Sequence, residues 1–243
     1  MATATTAIAI QGKPDYAPLA IDTARQEAAS GDTVTVEGIV LGGVFANGNN
    51  GIRFNSFYVM DGSGSIAVSL TEAAWQSVHL HRGEKAALQG TWDIYEAAAN
   101  SKSLTAATVL WHDSAANDLP EEIETKDFAW MIDYTVDSND NRSGDVFLLD
   151  GIIKNFDTQN GILYYVFAPD ETTFDSSDKT AAKNIFRANG ADLSYLDSWL
   201  DVKVSFLMGI HDKKPDYDQN GNPVAVSGGY YRYDIIPGFF RTL

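Results

Sequence analysis

The chain has 243 residues, 44% hydrophobic, 21% charged and 12% aromatic, the composition of a folded protein long enough for two ordinary cores rather than a disordered segment. It contains no cysteine, which excludes disulfides, zinc-thiolate sites and thiol nucleophiles. Its net charge of −16 repels phosphate backbones at long range and disfavours nucleic acid as a partner.

Residues 1–19 form an N-terminal segment ahead of the first periodic stretch. Ile21 to Ala29, IDTARQEAA, predicts a short helix with Asp22 or Thr23 as N-cap and Gly31 just past its end. Thr33 to Phe45 predicts a strand broken at Gly42-Gly43, and after the turn-rich Asn47 to Asn50 a second strand runs from Phe54 to Met60. Asp61-Gly62-Ser63-Gly64 is a tight hairpin into Ser65 to Leu70, where Ile66, Val68 and Leu70 alternate as in a half-buried strand. Thr71 caps a turn or two of helix through Val78, and strands follow at Lys85 to Tyr95 and Leu104 to Trp111.

The stretch Ser30 to Val40, SGDTVTVEGIV, returns 113 positions later as SGDVFLLDGII, Ser143 to Ile153. Both begin with a Ser-Gly-Asp turn and place an acid before a strand-internal glycine, Glu37-Gly38 and Asp150-Gly151, where a strand bends. Downstream, Phe57-Tyr58-Val59 is answered by Tyr164-Tyr165-Val166. So long a period is two copies of one domain rather than a solenoid. The expected organisation is a first domain over 20–112, an acidic linker over 113–127 and a divergent second domain over 128–243. In the second copy, strands are expected at Asp145 to Phe156, Gly161 to Ala168, Asp201 to Ile210 and Gly229 to Ile236, with a helix across Ser177 to Asn189. Its short third strand is not visible in the pattern. The acidic excess lies mainly here: nine acidic against five basic residues from Ala20 to His112, 23 against 11 from Asp113 onward.

Strand, strand, strand, helix, strand, strand is the order of the five-stranded Greek-key barrel called the OB-fold. With VTVEGIV, FYVMDGSGSIAVSL and GEKAALQGTW, the first domain resembles the OB-fold domains of bacterial exported proteins, including those attached to secreted nucleases and lipoproteins. The implied fold is mainly β, two five-stranded OB-like Greek-key barrels in tandem, each with short helices. The resemblance implies an extracellular or cell-surface setting with the targeting segment absent from this chain. No apolar run reaches the ~20 residues of a membrane span. OB-folds bind on the face of their second and third strands, between flanking loops, which here implies Arg53, Phe54, Tyr58, Trp92 and Tyr95 as ligand-binding residues. Aromatics with a cation suit stacked bases, and aromatics with amides and carboxylates suit sugars. Since Tyr58 and Met60 share one strand face and Phe57 and Val59 the other, one pair belongs to the core.

The usual catalytic signatures are missing: no G-x-x-x-x-G-K-[ST], G-x-S-x-G or H-E-x-x-H is present. Glu37, Asp61 and Asp93 are acids without a defined geometry, and the expectation is a protein that is not an enzyme and requires no cofactor. His79 and His81 form H-x-H, which on a strand points both rings one way, but they lie in a polar turn. In Asp212 to Asn222, DKKPDYDQNGN, Asp216, Asp218 and Asn220 alternate before Gly221 like the first half of a calcium loop. Position 12 is Ser227 rather than an acid, and a plain Asn-Gly hairpin needs the same residues. The leading expectation is a non-catalytic binding or adhesion module for a glycan or protein. Single-stranded nucleic acid, bound by the first barrel, is the alternative.

Overall fold

Alternation along TVTVEGIV gives the first long strand an apolar and a polar face. In the computed structural model the apolar face turns inward, with Val34, Val36 and Val40 no more than 3% exposed. The structure describes residues 13–43, 46–48, 51–53, 56–78, 80–95, 101–113, 123–126, 143–157, 163–168, 185–187, 199–213, 216–217, 223–224 and 231–242. Two helices are described, α1 (Ile21–Glu27) and α2 (Glu72–Ser77). The strands of the first half are β1 (Thr33–Gly43), β2 (Ala46–Gly48), β3 (Gly51–Arg53), β4 (Ser56–Met60), β5 (Ser65–Leu70), β6 (Lys85–Tyr95) and β7 (Ser101–Asp113). Those of the second half are β8 (Thr125–Lys126), β9 (Val146–Asp157), β10 (Leu163–Ala168), β11 (Ile185–Arg187), β12 (Lys203–Lys213), β13 (Asp216–Tyr217), β14 (Pro223–Val224) and β15 (Tyr231–Thr242).

β1, β4, β5, β7 and β6 close into a barrel in that order. All its pairings are antiparallel except the closing one, β5 with β7, which is parallel. With α2 between the third and fourth barrel strands, this is the OB topology. Phe57, Val59, Ile66, Val68, Leu88, Trp92 and Leu104 fill the interior with the β1 valines. Each such side chain contributes about 1.5–3 kcal/mol on burial. Gly38 stands where β1 passes β4, and a Cβ there would meet the Met60 carbonyl oxygen at 2.4 Å.

The helix caps come partly from a distance. Thr71 caps α2 as expected, accepting from the Ala74 amide at 3.1 Å. For α1 the N-cap is Ala20 rather than Asp22 or Thr23. Its free amides are met by the β4–β5 hairpin: Asp61 Oδ2 accepts from Ile21 N at 2.8 Å and Ser63 Oγ from Asp22 N at 3.1 Å.

The second half forms a six-stranded sheet in the order β11-β10-β9-β12-β15, with β8 parallel to β9. Among the described residues the expected second barrel is not closed. The order is that of the first barrel opened between its third and fifth strands, and no ladder joins β11 to β15 among the described residues. The sequence echo is nonetheless carried into the hydrogen bonding. Gly31 N donates to Trp92 O and Trp92 N to Asp32 O, just as Gly144 N donates to Ile210 O and Ile210 N to Asp145 O. Gly31 and Gly144 share a left-handed backbone, φ 94° and 90°, which only glycine adopts freely. Val34 lies opposite Gly90 and Phe147 opposite Met208, while Gly38 and Gly151 face Ala86 and Val204.

Two expectations in this half are corrected. Ile185–Arg187, inside the predicted helix Ser177 to Asn189, is strand β11, paired to β10; it is the third strand that the pattern did not show. The aromatic correspondence also slips. Val40 faces Val59 and its counterpart Ile153 faces Phe167, so Val59 matches Phe167 rather than Val166. Residues 114–122 of the expected linker lie outside the described residues, whereas Thr125 and Lys126 belong to the sheet as β8.

Candidate functional site

Strand alternation turns Phe57 and Val59 into the barrel and Tyr58 and Met60 outward on β4, with Ala67 beside Tyr58 on β5. This outward β4–β5 surface is where an OB barrel takes its ligand. Here it is covered. Tyr58 is 0% and Met60 8% exposed, packed with Leu41 of β1 against Ile123 and Leu207, and Ile39, Ala67, Val146 and Leu148 border the cluster. Gly209 of β12 lies flat on the phenol: a Cβ built there would sit 2.3 Å from Tyr58 Cζ.

Polar contacts fasten the edge of this interface. Arg25 Nη1 pairs with Asp145 Oδ1 at 2.5 Å and donates to Ser65 O at 3.0 Å. Ser143, 1% exposed, accepts from Lys102 N at 2.6 Å through its Oγ, and Lys102 Nζ donates to Arg25 O. Burial, and then the neighbouring Arg25 charge, lower the Lys102 pKa.

The other expected ligand residues disperse. Trp92 points into the barrel with 0% exposure, so it is a packing residue and not a stacking platform. Arg53 ends β3, which pairs with β2 as a hairpin between the first two barrel strands. Tyr95 ends β6, opposite Ser101 at the start of β7. Phe54 lies outside the described residues. Of the calcium-loop residues, Asp216 lies on β13 opposite Val224 of β14; Asp218 and Asn220 lie outside the described residues. His79 does too, while His81 Nδ1 is 3.1 Å from Glu84 Oε1. Among the described residues no group of three or more His, Asp or Glu is placed to hold a metal ion, and no helix is long and apolar enough to cross a membrane.

Two of the acids considered for chemistry, Asp61 and Glu37, have structural partners. Asp61 Oδ1 accepts from Ser63 N, Ser63 Oγ and Gly64 N at 2.6–3.0 Å, which ties Ser63 into the turn. Glu37 is held by Lys13 Nζ at 2.6 Å, Tyr16 Oη at 2.6 Å and Lys85 Nζ at 2.9 Å. Burial alone would raise its pKa; these three hydrogen-bonding partners outweigh burial and hold it at about 2. Asp93 is exposed on β6.

Sequence reasoning singled out Glu84 only as the carboxylate nearest the H-x-H pair and missed its setting: it is 6% exposed, with His81 Nδ1 3.1 Å from one oxygen and His112 Nδ1 3.4 Å from the other. It also missed the covering surface, for which a signal existed. The outward positions Thr33 and Thr35 of β1 become Val146 and Leu148 in β9, and Gln89 of β6 becomes Leu207 in β12. A strand apolar on both faces has both faces buried.

No protein-family model matches the chain, and no curated protein matches it. Among solved structures it is similar to the hypothetical protein ygiW from E. coli, at 19% identity over 41% of this chain and 91% of that one, with a TM-score of 0.31. It is also similar to a chain of the Replication Protein A heterotrimer bound to ssDNA, at 11% identity over 77% of this chain and 48% of that one, TM-score 0.37. A murine DNA binding protein bound with ds DNA matches at 8% identity over 84% of this chain and 99% of that one, TM-score 0.37. The chain thus spans about half the length of the Replication Protein A chain. All three TM-scores are below 0.5, and the OB assignment of the first half rests on its own closed strand order.

Proposed function

We propose that this chain is a non-catalytic OB-fold binding protein whose ligand is single-stranded nucleic acid. The observation that carries the reading is the closed barrel with a hairpin, β2–β3, between its first two strands and the antiparallel β6–β7 pair as its last two. These are the loops through which OB barrels grip oligonucleotides, and they bring a cation, Arg53, and an aromatic, Tyr95. We further propose that the second sheet is a diverged second copy of the same domain, supported by its strand order and by the shared register of β1–β6 and β9–β12.

The test is fluorescence anisotropy of a labelled oligothymidylate of ~15 nucleotides, a length within reach of one OB fold. If two phosphates are neutralised, affinity falls about sevenfold between ~50 and ~200 mM salt. Tyr95→Ala should remove about 1–3 kcal/mol of stacking, and Arg53→Ala should flatten the salt dependence. Absence of binding at low salt, by the wild type and by a variant whose two halves have been parted, sinks the proposal.

One observation favours a second reading, a module for a glycan or another protein. Lys13 and Lys85 face Glu37, Arg25 faces Asp145 and Lys126 faces Glu124, so these four cations are matched by carboxylates. A glycan panel run beside the oligonucleotide distinguishes the two.

A further inference from the structure

The surface from which an OB barrel binds is occupied in this chain by the chain itself. Tyr58, Met60 and Leu41 form one apolar patch, and the described residues that close it are Ile123 just before β8, Leu207 and Gly209 of β12, and Val146 and Leu148 of β9. Their chemistry is that of a removable cover. The described polar fastening includes an ion pair with one partner still 37% exposed, Asp145, together with the Lys102–Ser143 hydrogen bonds. Beside the Leu207 and Ile123 side chains, the cover meets the Tyr58 ring through the backbone of Gly209.

We infer that the second sheet is an autoinhibitory plug on the barrel's ligand face, and that parting the two halves exposes Tyr58 and its neighbours as a binding platform. This inference deepens the nucleic-acid reading and rests on it for the identity of the ligand; the plug itself is independent of that reading. A ligand that binds only the open state has its apparent affinity scaled by the open fraction, so the wild type binds more weakly than an opened variant.

The absence of cysteine in the chain allows a direct readout. Ala67→Cys puts one thiol on the covered face, beside Tyr58, and its alkylation rate reports opening. Into this background go two separate opening changes. Asp145→Arg sets a second cation against Arg25 at a partly exposed position, where folding of either half is not at stake. Gly209→Leu wedges a side chain against the Tyr58 ring. Circular dichroism and the cooperativity of unfolding establish that each variant is folded. Asp145→Arg is expected to speed thiol alkylation about tenfold or more and to tighten binding of the ~15-nucleotide oligothymidylate by a similar factor. Unchanged alkylation in folded Asp145→Arg and Gly209→Leu proteins overturns the plug. So does faster alkylation accompanied by unchanged, measurable oligonucleotide binding. Faster alkylation with no oligonucleotide binding in any form upholds a releasable cover and overturns nucleic acid as the ligand.

Discussion

Replacing Gly38 by alanine tests the barrel at its tightest crossing. The added methyl would lie 2.4 Å from the Met60 carbonyl oxygen, 2.7 Å from Val59 Cγ1 and 2.8 Å from the Met60 carbonyl carbon. Two of these three neighbours are backbone, fixed by the β1–β4 ladder at Ile39–Met60 and Val40–Val59, so rotamer change cannot relieve the contact. Overpacking of a well-filled core costs 1–3 kcal/mol in general. With backbone as the obstacle, the upper end, about 3 kcal/mol, is expected. In a chain of this size that corresponds to a fall of roughly 6–12 °C in unfolding temperature. Gly62→Ala is the control, since a Cβ there has nothing within 4 Å, and it should stay within about 0.5 kcal/mol of wild type. Thermal unfolding followed by circular dichroism compares the two. Equal midpoints for Gly38→Ala and Gly62→Ala would show that β1 and β4 do not approach as described, and the reading of Gly38 as the bend of a closed barrel would fall.

Other perturbations probe separate parts of the molecule. Glu37 has a folded pKa of about 2 against an ordinary 4.5, so its pairing with Lys13, Tyr16 and Lys85 stabilises the fold above pH 4.5 and is lost as pH falls from there toward 2. The stability difference between wild type and Glu37→Gln should therefore shrink across that window in urea titrations, and a constant difference would show that the pairing does not form. Asp61→Ala strips one acceptor from four donors, Ile21 N, Ser63 N, Ser63 Oγ and Gly64 N, and should cost about 2–3 kcal/mol. Ser63→Ala should cost about 1 kcal/mol or less; a larger loss for Ser63 than for Asp61 would reverse the assignment of roles in the hairpin. The Asp216–Asn220 loop should leave the unfolding temperature unchanged between chelator and millimolar calcium, and a rise abolished by Asp216→Ala would establish a calcium site, since a ligand of the native state raises its stability.

The first barrel was legible because its information is local. Thr33 to Val40 and Ile66 to Leu70 alternate, Thr71 announces a cap, and Asp61 to Gly64 spell a turn; each element follows from residues within it. Where a feature depends on residues far away, the sequence read alone goes astray. Asp22 and Thr23 carry capping side chains, but the caps of α1 come from Asp61 and Ser63, some 40 positions on. Ile185 to Arg187 reads as part of a helix, yet β10 offers it a ladder, and tertiary pairing overrides local propensity. Pro237 interrupts a strand pattern, and β15 nevertheless continues past it to Thr242 because its register with β12 shifts between Phe206 and Met208, the irregular kind of position at which a strand accommodates proline.

The candidate site divides along the same line, and the division bears on what the protein does. Alternation correctly sets Tyr58 apart from Phe57 and Val59, but exposure is not a property of one strand: it depends on what the rest of the chain lays over it. The sequence did hold the needed comparison, between the two halves rather than in either alone. Positions that are threonine or glutamine on the outward face of the β1–β6 pair, Thr33, Thr35 and Gln89, correspond in register to Val146, Leu148 and Leu207 of the β9–β12 pair, and Thr91 corresponds to Gly209. Loss of polarity at every one of these outward positions has no use on a solvated surface and a clear use against an apolar partner. That partner is the Tyr58 patch, in which Leu207 packs and which Val146 and Leu148 border. A ligand of the kind proposed for the barrel therefore reaches its hairpins past the second sheet or displaces that sheet from the β4–β5 face.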